Sequence, residues 1–285
     1  MAAKKQTTAV ANYDEELAAL AGKAATMTDT GGGGRFFSTQ AGVLAFDGQP
    51  LPGNQMCIIV GAWCRENVFY EGAYDPENRA PPTCFAFGKD DKDLDEMGPP
   101  EEVDKHEEFE KQSDLCADCP QNEWGSSPRG KGKACQNRRR LACLTAGLYK
   151  PQGRNQFELE LIDDPEHFAT TEEAFLKLPV MSGKGFDAYV REIAEQFDKP
   201  LFAVYTRVYL VPDQKSQFKV EFELIEPVDN ALIPALLDRY KKLNANIDFP
   251  YIPFKDDEDD GGRAAPKAAN KKLTTRGGAA AKKKR

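Results

Sequence analysis

The sequence predicts a mainly β domain of the α+β kind: a small antiparallel barrel with a cysteine-bearing insertion and a few helices. Three observations carry that expectation. Apolar residues alternate at period two in several separate runs, and others recur at helical spacing in a few segments. Between the first and later strands lies a long Pro-, Gly- and charge-rich stretch that holds four of the seven cysteines. A β-sandwich fits the same pattern almost as well, and strand order is not legible at this level.

Residues 1–34 form a peripheral segment. In "YDEELAALAGKAA" the positions Leu17, Leu20 and Ala21 share one helical face, and "TDTGGGG" then reads as a flexible linker. The core domain is expected over residues 35–254. It begins with short apolar runs, "RFFSTQ" and "GVLAF", and the turn chemistry of "DGQPLPGN" follows. "QMCIIVGAWCRENVFYEGAY" is the strongest strand signal. It puts Met56, Ile58, Val60 and Ala62 on one face and Cys57, Ile59, Gly61 and Trp63 on the other.

Residues 75–140 differ in kind. An irregular stretch of that length inside a compact domain needs something to order it, and a metal would do so. Strand character returns with "RLACLTAGLYKP" and "NQFELELI". "TTEEAFLKL" and "KGFDAYVREIAEQF" read as helices, the second with Phe186, Tyr189, Val190, Ile193 and Phe197 on one face. "PLFAVYTRVYLV" and "SQFKVEFELIE" are strands joined by "PDQK", and "NALIPALLDRYKKL" closes as an amphipathic helix. A small Greek-key barrel of the oligonucleotide-binding type accommodates these elements. Residues 255–285 are expected to be a disordered tail, acidic and then basic.

Charge is unevenly placed. The net charge is −8, yet residues 263–285 hold nine basic residues and no acid, directly after the acidic knot "DDEDD" at 256–260. The body is therefore more acidic than the total suggests, and local patches decide binding. No apolar run approaches the roughly 20 residues that span a bilayer. The N-terminal "MAAKKQTTAV" lacks the apolar stretch of a secretory signal. A cytoplasmic location follows as the expectation, that of the host cell if the protein belongs to a phage.

Seven cysteines, an odd number with uneven spacing, suit metal ligands plus buried thiols in a reducing compartment. Cys116 and Cys119 form a C-x2-C knuckle, a spacing that lets two thiolates reach one ion from a tight turn. Cys135 follows after fifteen residues. Cys84, in "PPTCFAFG", is the best fourth ligand because it stands where the strand region gives way to the insertion; Cys143 and His106 are alternatives. A redox pair is the competing reading, but it needs C-x-x-C at a helix N-terminus, and here Pro120 and a glycine-rich loop flank the motif. Four thiolates leave no open position, so the expected Zn2+ is structural, one per chain.

Arg129, Lys131, Lys133, Arg138, Arg139 and Arg140 follow within the same stretch, with no acid among them. Glycines at 130 and 132 allow the backbone to approach a phosphate, and Trp124 is placed to stack on a base. Tyr70 and Tyr74, in "VFYEGAYD", are further stacking candidates beside a core reading for both.

The runs "CPQNEWGSSPRGKGKAC", "VFYEGAY", "PPTCFAFG" and "DQKSQFKVEF" resemble a family of bacteriophage proteins, mostly uncharacterised, some labelled single-stranded-DNA-binding. The resemblance covers residues 36–226, and the arrangement is also similar to the zinc-bearing single-stranded-DNA-binding proteins of tailed phages. It implies an oligonucleotide-binding barrel and a zinc-ligand role for Cys84, Cys116, Cys119 and Cys135. The lysine-rich tail after the acidic knot departs from the acidic terminus of that group.

Catalytic motifs are missing from the sequence: two histidines, no H-E-x-x-H and no phosphate-binding P-loop. Glu158, Glu160, Glu221 and Glu223 alternate on strands as solvent-facing carboxylates would. The expected function is therefore non-catalytic binding of single-stranded DNA in phage replication or recombination, with replication proteins as further partners through the acidic segment. The alternative is a zinc-stabilised protein-interaction module acting on a replication or transcription partner. Binding of duplex DNA or RNA is a third option, separated by competition.

Overall fold

The computed structural model describes residues 35–46, 48–72, 81–89, 96–128, 130–154 and 156–251. The chain divides into a unit Met1–Pro253 and a segment Phe254–Arg285, and the described residues all belong to the first. The expectations for residues 1–34 and for the acidic and basic tail lie outside the described residues.

The strands are β1 (Arg35–Ser38), β2 (Ala45–Phe46), β3 (Gln49–Pro50), β4 (Gln55–Phe69), β5 (Cys84–Gly88), β6 (Gln136–Gly153), β7 (Gln156–Leu161), β8 (Ala174–Leu178), β9 (Val204–Asp213) and β10 (Gln217–Pro227). The helices are α1 (Glu101–Lys105), α2 (Pro165–Thr170), α3 (Gly183–Phe197) and α4 (Ile233–Asn246). The strands join one large sheet in the order β10-β9-β4-β6-β8-β1-β2-β3, with β5 added to β4 and β7 to β6. Pairing is antiparallel throughout except between β1 and β8. The fold is thus mainly β, but the sheet is open and mixed where a small closed antiparallel barrel was expected. The cause is that β4 and β6 are long and shared: each carries three neighbours, so the sheet spreads sideways.

Helices cover both faces. On one face Met56, Ile58, Val60, Leu176 and Leu178 pack with Phe186, Tyr189 and Ile193 of α3. On the other, Cys57, Ile59, Ala62 and Cys64 pack with Phe168 of α2 and with Leu236 and Leu243 of α4. Period two alone would place Ala62 with Val60. A β-bulge between Val60 and Ala62 moves Ala62 and Trp63 each to the opposite face. Gly61 sits at the bulge, and a Cβ there would stand 2.4 Å from Leu243 Cδ1, so its lack of a side chain lets α4 approach the sheet.

"TTEEAFLKL" is the second correction. Its AFLKL part is β8, not helix, because it lies between β6 and β1 with Phe175 facing one core and Leu176 and Leu178 the other. The irregular stretch also ends earlier than expected: β6 begins at Gln136, so Arg138, Arg139 and Arg140 are strand residues pointing alternately to opposite faces. Among the described residues no helix is long and apolar enough to cross a membrane.

Strand placement buries charge. Arg140 is 1% exposed and Glu66 0%, and the Arg140 guanidinium pairs with Glu66 Oε1. Arg140 Nη1 also donates to the carbonyls of Ile247 (3.1 Å) and Phe249 (2.8 Å), and its plane lies over Phe87 and Phe249 at 4.4 and 4.3 Å. This ties the residues after α4 to the sheet. Breaking a buried pair from one side leaves an uncompensated charge in the interior, at a cost of about 3–5 kcal/mol. Arg140→Met is expected to lose that much in urea unfolding, and Glu66→Gln combined with Arg140→Met to recover most of it.

Candidate metal centre and the loop it carries

β4 ends between two partners. Phe69 pairs with Cys84 of β5 on one side, and Val68 pairs with Gln136 of β6 on the other. One residue further, the same register sets Cys135 opposite Phe69. Residues paired across antiparallel strands share a face, so Asn67, Phe69, Cys84, Ala86 and Cys135 point the same way. Two cysteines 51 positions apart in the chain are thereby brought to one end of the sheet.

The excursion from 96 to 135 brings the other two. It crosses the outer edge of β5, where the Glu110 N–H donates to the Thr83 carbonyl at 2.7 Å. On one side of that edge Val103 and Phe109 cover Val68 and Phe85. On the other side, residues 112–122 close over Cys84 and Ala86. The covered edge is also protected from pairing with another chain. The Cys116 N–H donates to the Met97 carbonyl at 2.7 Å, and Asn122 Nδ2 donates to the Cys116 carbonyl at 2.7 Å. The Cys135 N–H donates to the Gln121 carbonyl at 2.8 Å, which fastens the knuckle to the start of β6.

Cys84, Cys116, Cys119 and Cys135 together line one cavity of about 20 Å³, with Asn67, Asn122 and Gln112 around them. That is room for one water-sized occupant. Burial pushes the thiol of Cys84 up, and that of Cys135 up to about 12; their own neighbouring thiols push further the same way. Burial likewise raises Cys116, with Cys119 adding to it, while a hydrogen bond from the Asn67 side chain opposes it. Asn67 is aimed by Asn137, whose Nδ2 donates to Asn67 Oδ1 at 2.6 Å. A backbone hydrogen bond from Gln112 acts on Cys84 in the same sense. Asn67 and Gln112 therefore line the cavity beside thiols whose ionised form a nearby cation would favour.

The chemistry of this donor set fits a soft divalent ion: four sulfurs, an ion-sized space, and N–H donors behind them. Among the described residues no group of three His, Cys, Asp or Glu side chains is drawn together to metal-bonding distance, so the thiols would have to close inward around an ion. The alternatives are placed elsewhere. Cys143 is fully buried in the core on the α3 face, and His106 is exposed with its ring edge-on to Phe109.

The loop between Cys119 and Cys135 is held at its base. Ser126 Oγ donates to the carbonyls of Gln121 and Glu123 and accepts from the Ala134 N–H at 2.9 Å. Gly125 donates to the Gly132 carbonyl at 2.8 Å, and both glycines have positive φ, a conformation that a side chain would strain. Trp124 projects from this loop, 81% exposed. Lys131 and Lys133 are exposed beside it, Lys133 Nζ donating to Asn122 Oδ1 at 3.0 Å; Glu123 is an exposed acid of the same loop, and Asp118 one just before it. Arg129 and Tyr74 lie outside the described residues.

The remaining candidates separate from this loop. Arg140 is buried with Glu66 and cannot meet a ligand, which corrects its expected role at a nucleic-acid surface. Arg139 forms a two-pronged pair with Asp187 of α3 at 3.0 and 2.8 Å and serves helix–sheet docking. Tyr70 packs with Val68, Phe85 and Val103 and is half-buried, so it is a core-edge residue more than an open stacking face. Arg138 is half-buried on the opposite face of the sheet from the thiols. Lys177 on β8, a residue that no motif in the sequence singles out, lies beside it and Arg140. Its one signal is a lone lysine between Leu176 and Leu178 in an apolar run.

No family model, curated protein or solved structure matches this chain.

The tightest backbone approach in the candidate centre is at Gly98, where a Cβ would meet the Asp114 carbonyl oxygen at 2.3 Å. Gly98→Ala is expected to push 114–116 away from the sheet and cost about 1–3 kcal/mol. Thiol labelling with mass spectrometry should then find Cys116 more reactive than in the unaltered chain, with Cys143 unchanged.

Proposed function

We propose that the chain is a non-catalytic single-stranded-DNA-binding protein whose loop 119–135 is held by a structural Zn2+ on Cys84, Cys116, Cys119 and Cys135. The observation that carries this reading is the convergence of four distant thiols on one ion-sized cavity at the base of a loop that presents Trp124, Lys131 and Lys133. Zinc would supply the charge that four crowded sulfurs need and would add no open position for chemistry. A loop fixed at its base holds an indole and two ammonium groups together, so little ordering entropy is spent on binding. The indole offers a sequence-tolerant stacking surface and the lysines neutralise phosphates.

The DNA-facing set is narrower than the run of six basic residues in the sequence. Arg139 and Arg140 support the fold, so replacing them would act through stability and not through direct binding. The part played in phage replication or recombination and the replication partners belong to the same proposal and rest on the sequence resemblance.

Fluorescence anisotropy with labelled oligo-dT at two salt concentrations tests the reading. Trp124→Ala is expected to weaken binding by about 1–3 kcal/mol, the worth of one stacked base. Lys131→Gln with Lys133→Gln should flatten the salt dependence by about 0.7 for each phosphate no longer neutralised. Absence of binding at low salt would overturn the proposal and leave the protein-interaction module in its place. Wild-type affinity in the combined three-residue variant would overturn the assignment to this loop.

A further inference from the structure

Charge does not balance on the sheet face opposite the thiols. Glu66 of β4, Arg138 and Arg140 of β6 and Lys177 of β8 occupy neighbouring positions of adjacent strands: Glu66 pairs in register with Arg138, and Arg140 with Lys177. Three cations thus surround one carboxylate. Glu66 Oε1 is committed to Arg140 and to the Tyr251 hydroxyl, which donates to it at 2.9 Å. Lys177 Nζ stands 4.0 Å from that oxygen and donates instead to Tyr251 Oη at 2.9 Å. Arg138 donates to Gln136 Oε1, and among the described residues no carboxylate lies within ion-pairing distance of it.

Among the described residues Lys177 thus shares Glu66 with Arg140 at 4.0 Å and Arg138 has no carboxylate at ion-pairing distance, so cations outnumber carboxylates in a half-enclosed place. Lys177 lies over the rings of Phe36 and Tyr251 at 4.8 and 4.4 Å, and its side chain is 26% exposed. Desolvation, and then repulsion from Arg140 and Arg138, brings its ammonium down to about 8, with Glu66 acting in the opposite sense. Tyr70 and Tyr251 stand at the same place, and the Tyr251 hydroxyl is engaged there, donating to Glu66 Oε1 and accepting from Lys177 Nζ. Half-buried cations in excess are complementary to an oxyanion.

We propose that Lys177 and Arg138 form a phosphate-binding site on this face of the sheet, beside Tyr70 and Tyr251. The site is separate from the Trp124 loop but connected to it by β6, since Arg138 follows Cys135 by three residues, about 10 Å of strand. Its identification as a contact for polynucleotide phosphate rests on the proposed function; its affinity for phosphate does not.

The test has two arms on the full chain. In the first, wild type is acylated with an N-hydroxysuccinimidyl ester at pH 8 and mapped by mass spectrometry, with and without inorganic phosphate or oligo-dT. Lys177 is expected to be modified faster than exposed lysines such as Lys131, and either phosphate source should slow it about tenfold. In the second, Lys177→Gln and Arg138→Gln are compared with wild type in oligo-dT binding. Each is expected to reduce the salt slope by about 0.7. Protection by phosphate without any oligo-dT binding supports the site and identifies its ligand as free phosphate, against the single-strand reading. Oligo-dT binding that depends on Trp124 while Lys177 stays unprotected, with wild-type salt slopes in both variants, overturns the site and leaves that reading intact.

Discussion

The long strand Gln55–Phe69 sets the positions of nearly everything else. One of its edges is occupied end to end by β6, and the other is divided between β9 at its start and β5 at its finish. Antiparallel register is strict, because a slip of one residue would turn the whole apolar set to the wrong face. Once Ile58, Val60, Ile59 and Cys64 are buried, Phe69 must finish between Cys84 and Cys135. The candidate centre is a consequence of that registry: two thiols come from the sheet and two from a knuckle folded over its edge. Loop 119–135 then hangs from the end of the sheet, and the acid and base at 66 and 140 fall inside it.

The interior charges show why the sheet is more than a support. Arg140 reaches Glu66, two carbonyls beyond α4 and two aromatic faces, so it closes the core on the α4 side. Pairs of this kind contribute little net stability compared with apolar packing, but they are costly to leave half made. Lys177 and Arg138 extend the same cluster toward solvent, where the charge is no longer matched. A fold that needs one cation in its interior thus presents two more at the rim, and the energetic disadvantage of those two suits a surface waiting for an anion.

Elements with strict periodicity are legible in the sequence: β4, β9, β10, α3 and α4 all lie where alternation or helical spacing puts them. That the four cysteines share one cavity is legible too, although Cys84 begins β5 and does not close the strand region as its surroundings suggest. What stays hidden depends on partners distant in the chain. "AFLKL" looks helical because both its faces are apolar, which only a place between two strands explains. The bulge at Gly61 reverses the faces of Ala62 and Trp63, and period two has no means of announcing an extra residue. Arg138 to Arg140 look like one basic patch when strand character is read only from Leu141 onward. As strand residues they alternate, one toward Asp187 and two toward Glu66, whose place between Cys64 and Val68 on its own face of the strand is the available hint of a buried cation.

Four thiolates closing around one ion at the end of β4 are what the proposed function depends on. X-ray absorption at the zinc edge, on protein purified without added metal, measures this most directly. The expected result is one zinc per chain with a single shell of four sulfurs at about 2.3 Å. A chain that holds no zinc after reconstitution, or binds it through nitrogen and oxygen only, would contradict it.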